Sequence, residues 1–192
     1  DCTGHGVPGA LLTLIGASIF QELVHERGLT RPSELLDNAR TVLASTLGTD
    51  EEEAGPQDGM NAAVVSLDRE ARNLTYAGAF APLLLIRHGE LLEFKGDRMP
   101  VGHTSTEVKA FEQVEVALQA GDRIYLFSDG LQDQFGGPNG KRLRTSGLKQ
   151  WLLETAALPI DDQYQAISDR FRMWKGKEEQ VDDVLLIGVE IS

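Results

Sequence analysis

The strongest constraint on this chain is a change of period. Between Met60 and Asp129 the apolar residues stop recurring at helical spacing and fall into short runs: "MNAAVVSLD", "NLTYAGA", "PLLLIRH", "LLEFKG", "FEQVEVAL" and "RIYLFSD". Each is rich in Val, Leu, Ile or aromatics and either alternates or stays apolar throughout, as strands do. The separators "DREAR", "HGE" and "QAGD" read as hairpin turns, which predicts a mostly antiparallel sheet system. Helical period frames these runs on both sides. Upstream, Leu11, Leu12, Ile15, Ile19, Leu23 and Val24 follow Pro8 and predict a helix over Pro8 to Arg27, closed by Gly28. Thr30 is the predicted cap of a second helix through Pro32, Leu35, Leu36, Ala39 and Leu43, ending before Gly48. The acidic, aperiodic "TDEEEAGPQDG" reads as an exposed loop. After "GGPNG", Leu143, Leu148, Trp151 and Leu152 predict one helix and Ile160, Tyr164, Ile167, Phe171 and Trp174 another, before a last strand "VLLIGVEI". Helices, many strands, helices and a final strand predict an α+β layered fold with sheets covered by helices, in a single domain over 1–192.

Charge and cysteine usage narrow the function classes. Eighteen Lys and Arg against 30 Asp and Glu give a formal net charge of −12, which repels nucleic acid and anionic membrane. One cysteine, Cys2, permits no internal disulfide and no Cys-based zinc site, so a reducing cytoplasm is the expected compartment. The apolar runs read as too short for the ~18 residues of a membrane span, and no membrane contact is expected from this domain.

The candidate chemistry stands where the pattern makes turns. Asp1 precedes the glycine-rich "CTGHGVPG", Asp129 and Asp133 lie in "FSDGLQD" directly after a strand, and Asp182 and Asp183 lie directly before the last strand. Strand ends let side chains from distant sequence converge on rigid supports. Converged carboxylates repel unless cations neutralise them, and oxygen-only ligation favours magnesium or manganese over zinc. Taken singly, each Asp is equally a turn residue. "DCTGHGVPGA" by itself is either a tight turn delivering a carboxylate and backbone groups to one point or an ordinary loop entering a helix.

Together, "DCTGHGVPGA", "YAGAFAPLLLIR", "MPVG", "GDRIYLFSDGLQDQFGG" and "VDDVLLIGVEI" resemble, in order and spacing, the bacterial SpoIIE-like (RsbU-like) branch of the PPM family of metal-dependent protein serine/threonine phosphatases. The resemblance implies a β-sandwich of two mainly antiparallel sheets flanked by helices on both sides. It also implies hydrolysis of phosphoserine or phosphothreonine by water activated between two Mn2+ or Mg2+ ions. The implied substrates are phosphoproteins, including anti-sigma-factor antagonists in partner-switching signalling, with a sensory or regulatory domain upstream. By position, Asp1 matches the aspartate that bridges both metals and Cys2 the adjacent peptide carbonyl ligand. Asp129 and Asp182 match the aspartates of the "SDG" and terminal "DD" blocks, while Gly4 and Gly6 let the backbone turn beside the metals.

This sequence departs from the family pattern at three points. The family carries a further aspartate-bearing strand ahead of the first block, so residues 1–192 are expected to be an N-terminally incomplete domain. Eukaryotic relatives have a His two residues after the bridging aspartate; here that position is Thr3, and His5 reads as loop structure with a proton-donor role left open. A third cation site in some relatives uses an aspartate where "YAGA" has Ala79, which leaves Asp133, like Asp183, a secondary candidate. Two other classes of function are weighed against catalysis by metals. One is a phosphatase-fold module that binds a partner without turnover. The other is thiol chemistry at Cys2, disfavoured because Pro8 stands where a Cys-centred phosphate loop needs Arg. His25, His88 and His103 read as solvent-facing and Trp151 and Trp174 as core. "GKRLR" reads as a solvated face that could meet a phosphoprotein, and the helix leaving the first block as an element able to couple a regulator to Asp1 and Cys2.

Overall fold

The computed structural model describes residues 1–4, 6–48, 59–102 and 109–192. The predicted loop "TDEEEAGPQDG", apart from its last residue, and the side chains of His5 and His103 lie outside them. Helix α1 is Gly6–Gln21, continued by a π-helical stretch Glu22–Glu26, and α2 is Pro32–Leu47. Strands β1 (Gly59–Met60), β2 (Ala62–Asp68), β3 (Asn73–Ala79), β4 (Leu83–Arg87), β5 (Glu90–Phe94), β6 (Val101–Gly102), β7 (Val114–Ala117) and β8 (Arg123–Phe127) follow. Then come the short α3 (Asp129–Asp133), β9 (Phe135–Gly136), β10 (Lys141–Arg142), α4 (Arg144–Thr155), α5 (Ile160–Lys175) and β11 (Leu186–Glu190). The chain forms two units, Asp1–Leu83 with Phe94–Leu118 and Leu84–Glu93 with Gln119–Ser192.

The first unit is built on the antiparallel sheet β2-β3-β7 and the smaller pair β1-β6. "DREAR" is a hairpin turn as expected: Asp68 pairs with Asn73, and the Asp68 carboxylate accepts the Ala71 N–H at 2.8 Å. Helix α1 buries Gly9, Leu12, Gly16 and Ile19, and Leu23 extends that stripe into the π turn. These pack with Leu35, Leu36, Ala39 and Leu43 of α2, with Ala77 and Ala79 of β3, and with Met60 and Val101. Gly16 faces the Met60 methyl: a Cβ there would lie 2.6 Å from it, so the Met60 side chain would have to shift. Two expectations are corrected here. Thr30 does not cap α2: the cap position is Arg31, extended at φ −85 and ψ 120 without a side-chain bond, because Pro32 excludes the residue before it from the helical region and so starts the helix at itself. The stretch Gly6–Glu26 is in fact long and apolar enough to span a membrane by length and composition, with hydropathy 1.6. One stripe of it, with Leu12, Ile19 and Leu23, packs into the core of this unit, while Val7, Leu11 and Leu14 are exposed.

The second unit carries the sheet β11-β8-β4-β5, in which β8 runs antiparallel to both neighbours. Leu84, Ile86, Tyr125 and Phe127 from its strands pack with Leu131, Leu143, Leu148, Leu152 and Ile167. "HGE" joins the neighbouring strands β4 and β5, but "QAGD" is not a hairpin: β7 pairs with β3 whereas β8 pairs with β4 and β11. The turn is anchored by Asp122, whose carboxylate is bound both from outside it and from within it. Arg87 donates through Nε at 2.8 Å and Nη2 at 2.6 Å, and Gln119 N–H donates at 2.8 Å. Burial opposes ionisation of Asp122, yet the Arg87 guanidinium and the Gln119 amide outweigh it and hold the carboxyl below the usual carboxylate range. A depressed folded pKa means that this stabilisation is complete above the unfolded value near ~4 and lost as pH falls through the folded one. Asp122→Asn is therefore expected to cost about 3 kcal/mol by removing the charge that accepts the two Arg87 bonds and the Gln119 N–H. Denaturant unfolding as a function of pH checks it: the wild type loses stability in acid below about pH 4, and the variant loses correspondingly less.

Candidate active site

The first block forms a ladder and then a turn. Asp1 and Asn61 exchange backbone bonds of 3.0 and 2.7 Å, and Thr3 N–H reaches Gly59 O at 2.9 Å. Cys2 and Met60 between them form the antiparallel pair that exchanges no bond. In such a pair the N–H and C=O point away from the partner strand, so this ladder leaves the Cys2 carbonyl free to face elsewhere. The side-chain alternation of a strand also puts the Cys2 thiol on the face opposite the Asp1 carboxylate. The thiol packs half-buried against the core, which suits a structural role, while Asp1 is exposed. Gly4 and Gly6 then take left-handed conformations at φ +88 and +68 and turn the chain into α1. Gly9 completes the turn: a Cβ there would stand 2.8 Å from the Gly4 carbonyl oxygen.

In the second unit, "SDG" and "VDD" are stitched to each other. Strand β8 ends at Phe127; the Ser128 hydroxyl donates to Asp183 O at 2.7 Å and accepts Leu185 N–H at 2.9 Å, while Ser128 N–H donates to Leu185 O at 3.1 Å. Gly130 lets the segments touch, since a Cβ at this position would lie 2.4 Å from Asp183 O. Asp183 N–H donates to Asp182 Oδ1 at 2.8 Å, which fixes the rotation of that carboxylate. Further back, the segment leaving α5 is held by the residues after α3. Gly137 N–H donates to Trp174 O at 2.7 Å, Trp174 Nε1 to Gln134 O at 3.1 Å, and Gln134 Nε2 to Glu179 O at 2.9 Å. The strap from Gly176 to Val184 is thus tied at both ends to the segment that carries Asp129.

These ties crowd carboxylates. Asp129 is half-buried, and burial followed by the negative charges of Asp182 and Asp133 raises its pKa above the ordinary carboxylate value. Asp133 has a partial counter-charge in Arg142 at 3.3 Å, whose guanidinium lies 5.2 Å over the Phe135 ring. Arg142 and Lys141 of the "GKRLR" cluster are exposed, in agreement with a solvated face. Asp183 contributes chiefly its backbone carbonyl to the stitch. Ala79 is wholly buried in β3. Unit two brings Asp129, Asp133 and Asp182 together, and Asp1 and Cys2 stand in unit one. Among the described residues, no group of three or more His, Cys, Asp and Glu side chains is placed to hold a metal ion. The donor chemistry nevertheless fits a hard divalent cation, because oxygen ligands with unrelieved mutual repulsion are what Mg2+ or Mn2+ would neutralise. Ser128, Gly130, Gln134 and Trp174 are the site-building residues that the sequence reading passed over. The Ser and Gly lay inside a quoted motif, whereas nothing local to Gln134 or Trp174 signals their partners.

The profile of the family described as Stage II sporulation protein E (SpoIIE) matches residues 1–192. The chain belongs to the SpoIIE family. Its fold is that of the PP2C (PPM) serine/threonine protein phosphatases, as expected from the motif order. The SiaA-PP2C domain of Pseudomonas aeruginosa is 29% identical with a TM-score of 0.88, over 100% of this chain and 74% of that one. The RsbU and RsbW domains of a Mycobacterium tuberculosis protein match at 22% identity and TM-score 0.72, over 99% of this chain and 49% of that one. RsbX, crystallised in complex with magnesium, matches at 15% identity and TM-score 0.65, over 100% of this chain and 78% of that one. No curated protein sequence matches. SpoIIE-family membership makes the chain a protein phosphatase domain of bacterial signalling.

Because Gly130 sits where two backbones meet, Gly130→Ala is expected to destabilise the protein by about 1–3 kcal/mol through overpacking. Equilibrium unfolding in denaturant measures it.

Proposed function

We propose that this domain hydrolyses phosphoserine or phosphothreonine in a protein substrate, using Asp1, the Cys2 carbonyl, Asp129 and Asp182 to hold two Mn2+ or Mg2+ ions. The observation that carries this reading is the raised, crowded Asp129 beside Asp182, held there by backbone bonds with no basic side chain bonded to either carboxylate among the described contacts. When bound, the cations supply a low-pKa water and offset charge developing on the phosphoryl oxygens. The chain supplies the placement. Strand β8 gives Asp129 a rigid base, the strap presents Asp182, and the Asp1–Asn61 ladder fixes the main chain on which the Asp1 carboxylate and the outward Cys2 carbonyl sit. The left-handed glycines 4 and 6 turn the chain immediately after these ligands.

Substrates are phosphoproteins, including anti-sigma-factor antagonists of partner-switching pathways, and the pairing of RsbU with RsbW domains in one relative supports that class. The high net negative charge makes nucleic acid an unsuitable partner. The lone cysteine, which permits no internal disulfide, supports a cytoplasmic domain.

The test is phosphate release from phosphoserine proteins by the full-length protein across a manganese titration. Turnover is expected to require Mn2+ or Mg2+, to stop in chelator, and to fall by at least about a hundredfold in Asp129→Asn and in Asp182→Asn with the fold retained. Folded protein that binds its partner but releases no phosphate at any metal concentration would favour the partner-binding module instead.

A further inference from the structure

Ser128 has a place in the middle of the stitch that metal ligation does not account for. Its hydroxyl is bonded on both sides, to Asp183 O and from Leu185 N–H, across 55 and 57 residues of sequence. It is adjacent to Asp129 in the chain, and the groups it grips, Asp183 O and Leu185 N–H, lie one and three residues past Asp182. One hydroxyl therefore helps to set the separation of two carboxylates that repel each other. Without metal, that repulsion acts on an exposed turn: Asp182 and Asp183 are exposed, and the Ser128 hydroxyl shares the hold on this end of the strap with the Ser128 N–H to Leu185 O bond, the Gln180 side chain on Asp182 O and the half-buried Val184.

We infer that Ser128 is a positioning residue that preorganises Asp129 and Asp182 for divalent-cation binding. The inference rests on the proposed metal site. Its consequence is specific to affinity. The stitch lies in partly solvated surroundings, so water can replace the hydroxyl and global stability changes little. What is lost is the fixed geometry, which the cation must then restore at the expense of its own binding free energy. Side chains that orient ligands in this way affect metal affinity more than they affect the ligated state. Ser128 is extended at φ −83 and ψ 162, a conformation open to β-branched residues, so threonine can keep the same hydroxyl in place.

The experiment is Mn2+ binding to the full-length protein, read as loss of the free-ion electron paramagnetic resonance signal, for wild type, Ser128→Ala, Ser128→Thr and Asp129→Asn. Ser128→Ala is expected to bind manganese about tenfold or more weakly, and Ser128→Thr to recover most of that loss. The unfolding midpoint should stay near wild type in both. In the metal-free protein, hydrogen exchange at the Leu185 amide should accelerate in Ser128→Ala and not in Ser128→Thr. Weaker binding in Asp129→Asn together with wild-type affinity in Ser128→Ala would overturn this inference alone. Equal losses in the alanine and threonine variants would also overturn it. Unchanged affinity in Asp129→Asn would overturn the metal-site reading, and this inference with it.

Discussion

Crowding of negative charge is the constraint around which the second unit is arranged. A half-buried Asp129 within electrostatic reach of Asp182 and Asp133 is unfavourable by itself: burial first, and then those two charges, raise its pKa. Such an arrangement persists only when surrounding structure over-determines it. Here the over-determination comes from chain connectivity on one side and hydrogen bonds on the other. Asp129 begins its helix immediately after a strand locked between two neighbours, and the Asp182 peptide is held to that strand's end by side-chain and main-chain bonds of ordinary length. No expensive buried ion pair is needed to hold the acids together. The strong ion pair of this unit, Arg87 with Asp122, is spent on the turn at the other end of β8, where it holds "QAGD" in its connection between sheets.

The first unit solves a different problem with the same economy. In the proposed site it would present the side chain of Asp1 and the main chain of Cys2. A three-residue ladder on β1 does so, with Cys2 anchoring the segment by its thiol while its peptide groups point outward. The core beneath is assembled largely from two helices and β3, and small residues at Gly9 and Gly16 let α1 lie close to the ladder it follows.

Much of the architecture was legible because it is periodic. The strands β3 and β8 fall on the runs "NLTYAGA" and "RIYLF", and α5 on the Ile160-to-Trp174 stripe. A period of two identifies a strand and says nothing about its partner, which is why "QAGD" passed for a hairpin although β7 and β8 enter different sheets. Thr30 passed for a cap because its residue type suits the role, while the geometry that decided the matter belonged to Pro32. The five-residue α3 and the two-residue strands β9 and β10 are shorter than any period can register. The site was legible as motif blocks in order, with Asp129 and Asp182 marked by their positions at strand ends. Its supporting contacts were not, because Ser128 meets its partners across more than fifty residues and Trp174 meets Gln134 across 40.

The two ties on the strap are nested, and nesting has a consequence for assembly. The bond from Trp174 to Gln134 spans 40 residues and lies inside the 55-residue span closed by Ser128. Once the inner tie has formed, the outer one has to close only about 15 free residues, which lowers its entropic cost by about 1 kcal/mol. The helical excursion through α4 and α5 thereby acts as a rigid clasp whose own packing makes the meeting of the two acidic segments cheaper than their distance in sequence suggests.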